Sequence, residues 1–135
     1  PALVIGIQAF RLPLEITLHE LYREGWVAQE MTWSGFNFDV ITGIIALPVM
    51  WFAVVKKALP RWTVLAFHCF GLCTVTIVAT TGILSVPLPF QVLHTTPANI
   101  FTSTFPYSWL PSILVPVAVF AHILGLRQYF SVRIQ

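Results

Sequence analysis

Apolar residues gather into four long runs along this chain, each separated from the next by a more polar stretch. The first spans about residues 2–22 and is the least apolar. The second, FDVITGIIALPVMWFAVV, covers 38–55. The third, WTVLAFHCFGLCTVTIVATTGIL, covers 62–84, and the fourth, SWLPSILVPVAVFAHILGL, covers 108–126. Each is close to the ~20 residues a helix needs to cross a hydrocarbon core of ~30 Å. Helices are the expected form, because an open sheet cannot satisfy its backbone hydrogen bonds in lipid. Pro13, Pro48 and Pro116 fall inside runs, where membrane helices accept them as kinks. The expected fold is an all-α membrane protein, a bundle of four transmembrane helices. With no internal repeat and no low-complexity segment, one transmembrane domain over 1–135 suffices.

Composition sharpens this. Only 9% of the 135 residues are charged and 57% are hydrophobic, whereas a soluble domain carries about 25% charged residues. So little polar surface cannot cover a water-exposed globule, which makes the lipid bilayer the expected solvent. A formal net charge of +2 is too small and too dispersed for nucleic acid to be a partner. The chain has no secretory signal pattern. It begins at Pro1 without a methionine, so either the initiator was removed or the sequence is part of a longer protein.

Charge placement predicts an orientation. Lys56, Lys57 and Arg61 fill the break between runs two and three, and Arg127 and Arg133 follow run four. If every run crosses, all five lie on one side, which the positive-inside rule makes cytoplasmic. Glu20, Glu24, Glu30 and Asp39 lie on the other side, with Arg23. Trp26, Trp33 and Trp109 fall at the outer boundary, and Trp51 and Trp62 at the inner one. Both termini are then cytoplasmic, and the expected location is the cell inner membrane, multi-pass. The external connection over 85–107 has no charge beyond a protonated His94. It carries Pro87, Pro89, Pro97 and Pro106, and is expected to lie in the interface or fold over the outer mouth of the bundle.

The first run holds the strongest candidate for chemistry. At 100° per residue, Gln8, Arg11, Glu15, His19 and Tyr22 fall within an arc of roughly 80°. Arg11–Glu15 and Glu15–His19 are i,i+4 pairs. With the helix leaving the membrane near Arg23, Arg11 lies ~18 Å deep, Glu15 ~12 Å and His19 ~6 Å. A charge near the midplane costs at least ~2.5–3.5 kcal/mol, so Arg11 must face the other helices or water, with Glu15 as its expected partner. The arrangement reads either as a polar network pinning the first helix to the bundle or as a ligand or proton site reached from outside. Asn37 and Asp39 enter the second run at that same end and would complete a mouth. For Asp39 the simpler expectation is a helix-start role, satisfying free N–H groups and the helix dipole.

His68 and His122 are expected at similar depth on runs three and four, on the cytoplasmic side. Facing each other, they could ligate a haem b iron or another metal. Cys69 and Cys73 lie close by, although no C-x-x-C, H-x-E or E-x-x-H spacing supports a metal. Cys69, Cys73, Thr76 and Thr80 share a helical face and read as a small-residue packing seam. Enzyme signatures are otherwise missing: G-x-S-x-G, P-loop, Rossmann and H-E-x-x-H patterns do not occur. Glu15, His19 and Asp39 are the only acid–base candidates, and catalysis does not follow from them.

The segments QAFRLPLE, MTWSGFNFDVITGIIA and FPYSWLPSILVPVAVFAHILGLRQ resemble a family of small multi-pass bacterial inner-membrane proteins without an assigned activity. The resemblance covers most of the chain. It implies that Gln8, Arg11, Glu15, Gly35, Asn37, Asp39, Gly43 and His122 match a recurring pattern, and that more chain precedes Pro1. It supplies no substrate or cofactor. The expected function is a buried, outward-facing polar site that binds or passes a small ligand, ion or proton. The alternatives are a non-catalytic subunit of a larger membrane complex, with other subunits or further copies as partners, and a b-type haem electron carrier.

Overall fold

The structure, a computed structural model, describes residues 2–131; Arg133, one of the five basic residues above, lies outside them. Among the described residues there is no strand, and four helices carry the fold. We number them α1 (Ala2–Arg23), α2 (Asp39–Val55), α3 (Trp62–Ser85) and α4 (Leu110–Ser131). Helices α1, α3 and α4 are long and apolar enough to cross a membrane, and α2 is a shorter apolar helix. The elements coincide with the four apolar runs, with α4 starting slightly later and extending further than expected.

The prolines leave local marks without ending helices. In α1 the backbone tightens to a 3-10 turn over Ile7–Phe10 before resuming as α-helix at Arg11. Pro13 follows closely, and its ring crowds the carbonyl four residues back, at Ala9. In α4 a π-turn over Leu110–Leu114 precedes Pro116, which has no N–H to return to Ser112. Pro48 lies within α2, which finishes in a π-turn over Met50–Val55.

Each helix packs on its neighbour in the chain, and α1 closes the ring against α4. Successive helices are antiparallel. Arg11 meets Asp39 while Gly6 lies against Met50, and Thr42 meets Thr74 while Ala46 clusters with Phe67. Gly43 sets the α1–α2 approach: a Cβ there would stand 2.7 Å from the Leu12 backbone nitrogen. Only a bare backbone lets the two helices come this close. At one end of the ring Arg61 donates to the Tyr129 carbonyl and lies over its ring, 4.6 Å from the centroid. The basic α2–α3 connection therefore sits beside the end of α4.

The bundle turns large apolar side chains outward, among them Leu3, Ile44, Phe52, Trp62, Ile83 and Phe120. Its interior is small and polar: Gln8, Arg11, Glu15, Thr42, His68, Thr74 and His122 are all buried. The seam expected on α3 is corrected here. Cys69, Cys73, Thr76 and Thr80 are exposed, and the face that packs is instead Phe67, His68, Gly71, Thr74 and Val75. Small size alone did not distinguish the two faces.

The long α3–α4 connection folds back onto the end of the bundle. Asn99 donates to the Gly82 carbonyl at 3.0 Å and to Ser85 Oγ at 2.8 Å. Phe101 enters a core cluster with Leu18, Val27 and Met31. Between them they cap the end of the bundle where Glu15 and Asn37 lie.

Candidate functional site

The sequence of α1 puts Gln8, Arg11 and Glu15 on one face, and antiparallel packing turns that face inward. Arg11 is 1% exposed and Glu15 1%, so neither reaches solvent as a snorkelling side chain would. Arg11 Nη1 donates to Asp39 Oδ1 at 3.1 Å and to Thr74 Oγ1 at 3.4 Å. Thr74 Oγ1 lies 3.0 Å from Thr42 Oγ1 and donates to the Gly71 carbonyl at 3.1 Å. The charge is therefore tied to α2 and α3 at once. Gln8 Nε2 donates to the Ala118 carbonyl at 3.2 Å, tying the same face to α4.

Two sequence expectations change. Arg11 takes Asp39, not Glu15, as its ion-pair partner. The Gly43 approach brings the first turn of α2 alongside Arg11, and an inter-helix partner can meet a guanidinium that a neighbour one turn away on the same helix need not. Asp39 is accordingly more than a helix-start residue. Asn37 performs that task, its Oδ1 accepting the Asp39 N–H at 3.0 Å. The other end of the Asn37 amide donates to Glu15 Oε1 at 2.7 Å and to the Met31 carbonyl at 3.0 Å. Asn37 thus fixes Glu15 and starts α2 with one side chain.

His19 does not join this network. It is half-buried and stacks on Trp33, with centroids 4.1 Å apart and planes inclined at 16°. Tyr22, also half-buried, packs against the cluster of Leu18, Val27, Met31 and Phe101. The predicted stripe therefore divides into a buried part, Gln8–Arg11–Glu15, and an outer aromatic part.

Beside the buried part lies a cavity of about 240 Å³. Its walls are mainly apolar, from α1 (Leu14, Leu18), α3 (Val75, Val78) and α4 (Leu110, Leu114), and the connection contributes Phe101, Thr102 and Ser103. Arg11, Glu15, Asn37 and Asp39 supply its charged and amide wall. Arg11 Nε and Nη2 and Glu15 Oε2 are buried without a hydrogen-bond partner. Buried polar groups are nearly always satisfied, and an orphan costs ~1–3 kcal/mol, more when charged. Three such atoms on two residues that line one cavity are the most telling feature of the site.

The two deep histidines, whose spacing alone did not fix their faces, meet in the structure. His68 Nδ1 and His122 Nδ1 are 3.0 Å apart and hydrogen-bonded, one ring nearly perpendicular to the other at 78°. Each ring is seated in a glycine notch of the opposite helix. A Cβ added at Gly71 would overlap the edge of the His122 ring, and one at Gly125 the edge of the His68 ring. The sequence carries this as a repeated H-x-x-G, HCFG at 68–71 and HILG at 122–125. Reading the histidines without the glycines one turn away missed that reciprocity. Thr42 and Thr74 were missed too, though Thr74 extends the His68–Gly71 spacing by another three residues. Among the described residues, no group of three or more His, Cys, Asp or Glu side chains is arranged to hold a metal ion.

A family described as Domain of unknown function (DUF8737) matches residues 5–130. No curated protein and no solved structure matches the chain. The matched stretch contains every residue of the polar network and both histidines, and the chain belongs to this family.

Proposed function

We propose that this member of the family is an integral membrane protein whose four helices cross the cell inner membrane, with both termini in the cytoplasm. Its bundle holds a ligand chamber that opens to the outside. The outward-facing apolar side chains support a lipid setting, because an aqueous surface rarely presents contiguous apolar patches of this extent. The basic α2–α3 connection, lying beside the end of α4, supports the orientation under the positive-inside rule. The opposite end, with Asn37, Ser103 and the folded connection, is then external.

The observation that carries the functional reading is that Arg11 and Glu15, two residues lining the cavity, keep buried atoms without a partner. A network serving only to glue helices would bond its charges to one another. Here Arg11 spends one nitrogen on Asp39 and Thr74, while Glu15 spends one oxygen on Asn37. The remaining groups have no partner within the protein. An apolar chamber with a few convergent polar groups is the usual form of a small-molecule site.

Cysteine accessibility in intact cells tests this reading. In a background carrying Cys69→Ser and Cys73→Ser, a small membrane-impermeant thiol reagent added outside should modify Ser103→Cys and, through the chamber that Ala79 also lines, Ala79→Cys. Lys57→Cys should react only after the cells are opened. Modification of Lys57→Cys from outside would overturn the orientation, and protection of Ala79→Cys beside a reactive Ser103→Cys would overturn an outward-opening chamber.

A further inference from the structure

The unpartnered donors of Arg11 are a matched pair. Nη1 serves Asp39 and Thr74, while Nε and Nη2, whose N–H bonds run side by side along one edge of the guanidinium, are left together. That edge is a planar fork complementary to two oxygens of one carboxylate or phosphate. Its owner is 1% exposed and held by α2 and α3, so the fork is a preorganised recognition element and not a mobile surface charge.

Charge decides between the oxyanions. Arg11 is already matched by Asp39, and Glu15 stands on the same wall. A phosphate brings up to two negative charges to a site with one cation, whereas a carboxylate brings one. An alcohol or ester offers no pair of equivalent oxygens for the fork. Glu15 Oε2 belongs to the same cavity lining, and a carboxylate on the fork that reaches it forms a pair of carboxyls that cannot both be ionised. One proton between them, on Glu15 Oε2, turns the third orphan into a donor to the ligand. All three unpartnered atoms are then satisfied by one functional group.

Size and polarity set the rest of the molecule. An apolar cavity of ~150 Å³ holds benzene, so about 240 Å³ holds a body of roughly ten non-hydrogen atoms. Leu14, Leu18, Val75, Val78, Leu110 and Leu114 surround that volume with hydrocarbon. We propose that the chamber binds a small lipophilic monocarboxylic acid of about the size of octanoic acid, its carboxyl on the Arg11 fork and Glu15, its chain among the leucines and valines. This rests on the reading of the chamber as a ligand site, and it adds the chemical class.

The test is photolabelling of the purified protein in phosphatidylethanolamine–phosphatidylglycerol vesicles with a diazirine-bearing octanoic acid, with adducts mapped by peptide mass spectrometry. Adducts should fall on chamber-lining segments near Val75–Val86 and Leu110–Ala118. Octanoate should compete for them about ten- to a hundredfold better than 1-octanol or methyl octanoate, the equivalent of one charge-assisted hydrogen bond. Arg11→Lys, which keeps a cation for Asp39 but has no fork, should lose that preference. Ala79→Phe, which fills the chamber and leaves the polar network intact, should abolish specific labelling. Equal competition by acid, alcohol and ester on the wild type would overturn the carboxylic-acid assignment while leaving the chamber a site. Adducts scattered over outward-facing residues and unchanged by Ala79→Phe would overturn both. The wild-type competition decides the class even if Arg11→Lys fails to fold.

Discussion

Gly71→Ala is a single-methyl change whose cost the structure places on one named contact. The new Cβ would overlap the edge of the His122 imidazole, and His122 cannot retreat freely because its Nδ1 is held by His68, itself seated on Gly125. Overpacking of this kind costs ~1–3 kcal/mol. If His122 moves to relieve it, the histidine hydrogen bond is lost as well, at ~0.5–1.5 kcal/mol. The expected destabilisation is therefore about 2–4 kcal/mol, beyond the ~0.5–1 kcal/mol by which Gly→Ala normally stabilises a helix interior. His122→Ala is also destabilising, because it leaves a void and an unpartnered His68 nitrogen. The double variant is the informative one. With the ring gone, the methyl introduced by Gly71→Ala projects into vacated space, its overpacking cost vanishes, and the two changes should be sub-additive by about 1–3 kcal/mol. Denaturant titration of the four proteins in one detergent closes this cycle. Additivity within about 0.5 kcal/mol, or a neutral Gly71→Ala, would refute the reciprocal seating of histidines in glycine notches. Gly125→Ala with His68→Ala should repeat the result from the other helix.

Three further outcomes follow from the polar network and its surroundings. Asp39→Asn leaves Arg11 buried without its counter-charge and should cost about 3–5 kcal/mol in the same titration; a loss below about 1 kcal/mol would show that Asp39 is not the principal partner. Asn37→Ala removes both the tether on Glu15 and the acceptor for the Asp39 N–H, and should cost about 1–3 kcal/mol, with helix content falling locally at the start of α2 by hydrogen exchange. Cys69→Ser and Cys73→Ser, on the outward face of α3, should stay within about 0.5 kcal/mol of wild type; a larger loss would return those residues to a packing seam.

The four helices were legible because each is a long apolar run, a signal that survives without any knowledge of partners. The polar face of α1 was legible for the same reason, since Gln8, Arg11 and Glu15 recur at helical spacing. Pairing was not. One helix can show Arg11 and Glu15 as neighbours, but only the Gly43 approach of α2 reveals that Asp39 takes the guanidinium and leaves Glu15 to Asn37. The α3 seam failed for a related reason. Cys69, Cys73, Thr76 and Thr80 are small, yet the face that packs is fixed by what the opposite helix offers, here a histidine for each glycine. His19 left the stripe because Trp33, on the connection to α2, stacks on it, and a loop residue's return is not encoded in helical periodicity. The cavity could not be anticipated at all, since it exists only where three helices and the folded α3–α4 connection fail to fill the space among them.

The central claim, that Arg11 and Glu15 present their free groups to a chamber built for an occupant, is tested most directly by native mass spectrometry of the protein released gently from its own membrane. The account predicts a single bound species of about ten non-hydrogen atoms, by the cavity's volume, on the wild-type chain and none on Ala79→Phe. A bare chain in both proteins, or an adduct that Ala79→Phe retains, would contradict it and make the network a structural brace.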